Sequence, residues 1–229
     1  MQIFLLLALL FSALPAWADE CGFKAYDRAD YAAALKPLTE CAKQGEAIAQ
    51  DGLGWMYYNG QGVPQDFKAA VRWITLAAKQ GFANAQFNLG VMYNKGEGVP
   101  QDYKAAARWW TLAAKQGNAR AQQFLGYLYN YGWGVPQDYK EAVRLYTLAA
   151  EQGNAEAQTS LGVMYSSGQG VLQDYVLAHM WLNLAASNGA GEISVKGRDG
   201  LASLMTPAQI AEAQALAQRC LASGYKDCG

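Results

Sequence analysis

Along "ANAQFNLGVMYNKG", Ala83 to Gly96, the apolar positions Ala85, Leu89, Met92 and Tyr93 recur at the spacing of one helix face, and Gly96 and Gly98 end the run. The stretch before it, "DFKAAVRWITLAAKQG", opens after Pro64 with Asp66 in its first turn, where a carboxylate suits the positive end of the helix dipole. Phe67, Ala70, Val71, Ile74, Ala77 and Ala78 form its predicted buried stripe. Gly81, just past Lys79, can take the left-handed cap. The two patterns together predict an antiparallel helix pair.

The pair then repeats. A shift of 36 residues aligns Gly45, Gly81, Gly117, Gly153 and Gly189 in one column, and Leu53, Leu89, Leu125 and Leu161 in another. Tyr57, Tyr93, Tyr129 and Tyr165 form a third. A fixed period of this size signals a solenoid, because one unit cannot bury its apolar face alone and must stack on the next. A glycine inside the first helix, as at Gly90, costs about 0.5–1 kcal/mol relative to alanine, so close approach of two backbones is the expected reason for it. The paired alanines Ala77 and Ala78 point the same way.

These columns, "AxAQxxLGxxYxxGxGV" followed by "DxxxAxxWxxxAAxxG" as in Ala83 to Val99 and Asp102 to Gly117, resemble the Sel-one-like repeat (SLR) family, relatives of the tetratricopeptide repeats. The resemblance implies an all-α fold, a right-handed α/α superhelix of antiparallel helix pairs. Four units starting near Ala47, Ala83, Ala119 and Ala155 fill residues 47–190, with an N-terminal cap and partial repeat at 19–46. After the fourth unit the AQ and LG columns vanish. Thr206 and Pro207 read as an N-cap and first helical position, opening a helix from about Ala208 to Cys220 within a capping segment at 191–229.

Charge and cysteine narrow the setting. With 18 basic against 19 acidic residues there is no face able to neutralise many phosphates, so nucleic acid is not an expected partner. The apolar run from Ile3 to Leu14, Pro15, and Ala16-Trp17-Ala18 read as a secretory signal peptide, residues 1–18, cut between Ala18 and Asp19, although no Lys or Arg precedes the run. A periplasmic or secreted chain follows, with no membrane span once the signal is removed. Cys21, Cys41, Cys220 and Cys228 are then expected as two disulfides, one at each end of the array, where a terminal unit has a single neighbour. Three connectivities are possible, and the positions suggest the local one, Cys21 with Cys41 and Cys220 with Cys228.

Chemistry is sparse. His179 is the one histidine and reads as structural; no metal or cofactor is expected. Ser223 and Lys226 match the Ser-x-x-Lys of penicillin-recognising enzymes, but Ser-Asp-Asn and Lys-Thr-Gly are missing from the chain. An enzyme acting on cell-wall or β-lactam substrates is thus a minor alternative.

Columns that vary between units are free of the stacking requirement. Several hold large aromatics: Trp55, Tyr58, Phe87, Phe124, Tyr127 and Tyr131, with Trp133 in the adjoining turn. Their offsets place them opposite the buried stripe of each first helix, the face that would line the concave side of a tetratricopeptide-like array. Lys95 and Arg120 could add charge at its rim. Aromatic enrichment on such a face predicts a non-enzymatic scaffold, monomeric alone, that holds a protein partner in its groove. Family resemblance suggests an envelope assembly factor or an immunity protein against a secreted toxin. A glycan-binding protein is the other alternative, since stacked aromatics also suit sugars.

Overall fold

A computed structural model describes residues 20–228; the signal peptide and cleavage site expected from the sequence lie outside the described residues. Among these residues the chain is all helix, in two compact units divided between Gln101 and Asp102. The first unit holds α1 (Phe23–Asp27), α2 (Tyr31–Gln44), α3 (Ala47–Asn59), α4 (Phe67–Lys79) and α5 (Ala83–Lys95). The second holds α6 (Tyr103–Lys115), α7 (Ala119–Tyr131), α8 (Tyr139–Ala150), α9 (Ala155–Ser167) and α10 (Tyr175–Ser187), followed by α11 (Glu192–Ala202) and α12 (Pro207–Ala222). Within each unit consecutive helices pack as neighbours, which is the stacking of a helical solenoid.

The same local chemistry recurs in each repeat. Asp66, Asp102 and Asp174 each accept the backbone N–H three residues on, and Asp138 accepts those of Lys140 and Glu141, two and three residues on. Asp66 is therefore the N-cap of α4 rather than a member of its first turn. Each first helix ends on a left-handed glycine, Gly132 with φ of 71° after α7 being one case. The glycines inside the first helices mark close approach: a Cβ at Gly54 would lie 2.5 Å from Ile74, and one at Gly162 would lie 2.5 Å from Leu182.

A buried glutamine in each first helix ties the stack together. Gln50 donates to the Ala42 carbonyl at 3.0 Å while its own oxygen accepts from Gln80 at 2.8 Å. In the second unit Gln122 donates to the Ala114 carbonyl and accepts from Gln152, and Gln158 donates to the Ala150 carbonyl and accepts from Asn188. Each amide thus adds a second hydrogen bond to a helix-end carbonyl that also accepts from the N–H of the glycine three residues on.

The two disulfides are Cys21 with Cys41, joining the segment before α1 to α2, and Cys220 with Cys228, closing the tail onto α12. The C-terminal helix is capped by Thr206 in a capping box with Gln209 and begins at Pro207. It lies across α10, where Ala213, Ala217 and Cys220 pack with Met180, Leu184 and Trp181. Tyr225 completes the cap by exchanging hydrogen bonds with Asn188 at 2.8 and 2.9 Å.

Candidate recognition site

The variable columns gather in two places, one in each unit. In the first unit the Trp55 ring stacks on Tyr58 with centroids 4.7 Å apart, and Tyr58 meets Phe67 edge-on at 5.3 Å. The Tyr58 hydroxyl donates to Glu97 at 2.6 Å and accepts from the Lys95 ammonium at 3.1 Å. Burial and the Glu97 bond push that hydroxyl above its ordinary pKa. Lys95, expected at a rim available to a partner, is instead engaged with Tyr58 and 3.8 Å from Glu97. On the same helix as Tyr58, Asp51 accepts from Asn88 at 3.1 Å, and burial raises its carboxyl to about 6.

In the second unit Tyr127, Tyr131 and Trp133 form one exposed cluster, with 37%, 52% and 41% of their surfaces open. Tyr127 and Tyr131 lie 4.5 Å apart, Trp133 is 5.4 and 5.6 Å from them, and Tyr103 backs Trp133 at 5.3 Å. One helical turn along α7 followed by the Gly132 cap puts all three rings on one side of the unit.

Beside this cluster opens a cavity of about 370 Å³, lined by Tyr127, Asn130, Tyr131, Gln137, Tyr139, Tyr146, Thr159, Ser160, Val163, Met164 and Gln169. None of these side chains is charged at neutral pH. Burial drives the Tyr146 hydroxyl further above its ordinary range. Three donors on the wall are engaged within the protein: Gln137 donates to the Asn130 carbonyl and to Tyr139, Ser160 to the Glu156 carbonyl, and Thr159 to the Ala155 carbonyl. The side-chain oxygen of Asn130, in contrast, is buried without a partner.

Not every predicted residue belongs to these sites. Phe87 is 3% exposed, so it is a packing residue and not part of a solvated face. Phe124 is half-buried against Trp110, centroids 5.0 Å apart. Arg120 is exposed at the start of α7. The cavity itself was missed, because its walls come from two successive repeats.

The Ser223 hydroxyl donates to the Cys220 carbonyl at 2.8 Å and accepts from the backbone N–H groups of Lys226 and Asp227 at 3.1 and 3.0 Å. It builds the turn between the last two cysteines. His179 is buried on α10, and burial, with Arg198 nearby, holds its imidazole below the ordinary pKa. Among the described residues no group of His, Cys, Asp and Glu could hold a metal ion, and no helix is long and apolar enough to cross a membrane.

The Sel1 repeat family profile matches residues 47–82, 83–118, 119–154 and 155–189. The chain is 34% identical to a Sel1 repeat protein from Oxalobacter formigenes over 89% of this chain and 76% of that one, with a TM-score of 0.69. It is 44% identical to c5321, a protective antigen of uropathogenic Escherichia coli strains with an SLR fold, over 68% of this chain at a TM-score of 0.66. That alignment spans only 33% of c5321. Among proteins of curated function, none matches the sequence. This chain belongs to the Sel1 repeat family, whose members generally serve as scaffolds for protein–protein interaction.

Proposed function

We propose that this chain is an exported interaction scaffold that engages a protein partner through the aromatic face of its second unit. The observation that carries the reading is the Tyr127, Tyr131 and Trp133 cluster. Three large rings left open to solvent and clear of ion pairs are the composition of an interface centre. The two disulfides accord with an oxidising compartment outside the cytoplasm. The description of c5321 as a protective antigen accords with such a location too.

The test is affinity capture from envelope extract with the chain from Asp19 onward, beside a Tyr127→Ala, Tyr131→Ala variant whose helicity is checked by circular dichroism. A protein held by the first and released by the folded variant supports the reading and supplies the partner. Equal capture by both moves the interface off this face.

A further inference from the structure

At the end of the array α12 lies across α10, over columns where that helix holds Val176, Met180 and Leu184. One period earlier the same columns read Lys140, Arg144 and Leu148 on α8, and two periods earlier Lys104, Arg108 and Leu112 on α6. There they are open. All four cations are exposed, and Leu112 and Leu148 keep 44% and 37% of their surfaces in solvent where Leu184 is fully covered. Lys115 adds a fifth exposed cation at the end of α6. Against these stand Glu141 on α8 and Glu151 at its C-cap, while Asp102 and Asp138 are held by their capping bonds. Lys104, Arg108, Lys115 and Lys140 make no ion pair among the described residues.

Between α6 and α8 opens a cleft of about 410 Å³ whose polar side chains are Thr111, Lys115, Gln122, Tyr129, Glu141 and Arg144. Thr111 donates to the Ala107 carbonyl, and Gln122 is held by the Ala114 carbonyl and by Gln152. Glu141 accepts from Nε and one Nη of Arg144 at 2.8 and 2.6 Å. The groups without a partner among the described residues are the Lys115 ammonium, the other Nη of Arg144 and the Tyr129 hydroxyl, and each can donate. Beside them lie the buried Leu125 and Leu145 and the open Leu148. A carboxylate carried next to apolar groups answers such a wall. A phosphate dianion would meet Glu141, and a lipid surface would not reach apolar groups recessed in a cleft. Leu125 and Tyr129 stand two residues from Tyr127 and Tyr131, on the other side of α7, so this surface is separate from the aromatic face. What the layer accepts is shown by α12, a helix that packs through Ala213, Ala217 and Cys220, at i, i+4 and i+7. We infer that the outward face of α6 and α8 seats an amphipathic helix of a protein partner, with Asp or Glu flanking its apolar stripe and one carboxylate entering the cleft toward Lys115, Tyr129 and Arg144.

The probe is a displayed library of 16-residue peptides, the length of α12, selected on the full folded chain. The peptides recovered should carry apolar residues at i, i+4 and i+7 with Asp or Glu beside them, and should bind more weakly as salt rises. Arg108→Glu combined with Lys115→Glu should weaken them by about tenfold, since attraction becomes repulsion at two positions. Leu148→Asn leaves the charge unchanged and should weaken them roughly fivefold through lost apolar contact. All three substitutions are at exposed positions, and circular dichroism checks that the helices persist. Tyr127, Tyr131 and Trp133 are untouched in both variants, so the outcome is independent of the aromatic face. A selection that returns no binder, or binders without acidic residues, overturns the inference. Equal binding to the double variant overturns it too. Weakening by the charge reversal with none from Leu148→Asn leaves only general attraction between opposite charges and removes the helix seat. Binding of phosphatidylglycerol vesicles in place of the peptides, lost in the double variant, assigns the face to lipid and overturns the inference as well.

Discussion

The first unit and the second are built on one repeat, and they diverge at the columns that stacking leaves free. Around Tyr58 and Phe87 the first unit is filled and charged, with Glu97 and Lys95 engaged at Tyr58, and a half-buried Asp51 accepts from Asn88. Around Asn130 and Thr159 the second is hollow and neutral. The columns that hold the helices together stay the same in both, from the capping aspartates to the buried glutamines. A repeat array can therefore open a cavity without disturbing its scaffold, by exchanging large side chains for small ones between fixed helices.

Hollowing the filled site should have the largest effect. Phe87→Thr leaves a void where a buried ring was and puts a hydroxyl into it, so it should cost about 3–4 kcal/mol in urea unfolding. Amide hydrogen exchange should show the loss in α3 to α5. A change below about 1 kcal/mol would mean that the first unit does not depend on its plug.

Next comes a column common to both units. Gln158→Leu keeps the size but removes two hydrogen bonds, to the Ala150 carbonyl and from the Asn188 amide, whose remaining partners are the Gly153 N–H and Tyr225, and should cost about 2 kcal/mol. Its exchange signature should fall on α8 to α10, and near-neutrality would reduce the glutamine column to a bystander.

The period, the helix pairs and the end disulfides were legible because each rests on local or periodic signals: the capping aspartates, the Gly-x-Gly turns, and cysteines confined to the two termini. That Tyr127, Tyr131 and Trp133 lie open to solvent was legible for the same reason. Phe87 was misjudged, since a ring on a variable column is buried or open depending on the side chains of other repeats. The path of α12 was also hidden. Arg72, Arg108 and Arg144 are exposed on the outward side of α4, α6 and α8, while the same column holds the buried Met180 on α10. Leu76, Leu112 and Leu148 are likewise open where Leu184 is fully covered. That switch from arginine to methionine was present in the sequence, and its meaning depended on knowing that α12 lies across α10.

Charge separates the two units as much as volume does. Because burial raises the Asp51 carboxyl to about 6, above its unfolded value near 4, the folded state holds the proton more tightly. Its contribution to stability is full below pH 4 and is lost as pH rises through 6. Asp51→Asn should therefore leave stability unchanged at pH 4 and raise it at pH 7.5 by on the order of 2 kcal/mol. Matched urea titrations at the two pH values check this, and an equal effect at both would assign the change to something other than the carboxylate.

Filling the hollow site should move stability least, for a reason the structure makes specific. Thr159→Phe gains apolar burial in the cavity, but it removes the hydroxyl that lies 2.8 Å from the fully buried Ser194. The ring contributes about 1–2 kcal/mol and the stranded Ser194 hydroxyl costs about 1–3 kcal/mol, so the single variant should stay within about 1 kcal/mol of wild type. Adding Ser194→Ala removes the stranded group, and the double variant should exceed the single by about 1 kcal/mol. In the wild-type background Ser194→Ala alone should destabilise, because it leaves the Thr159 hydroxyl with its Ala155 bond only. The opposite signs of Ser194→Ala in the two backgrounds form a double-mutant cycle. If the signs agree, Thr159 is not held open by its bond to Ser194, and the hollow would rest on side-chain size alone.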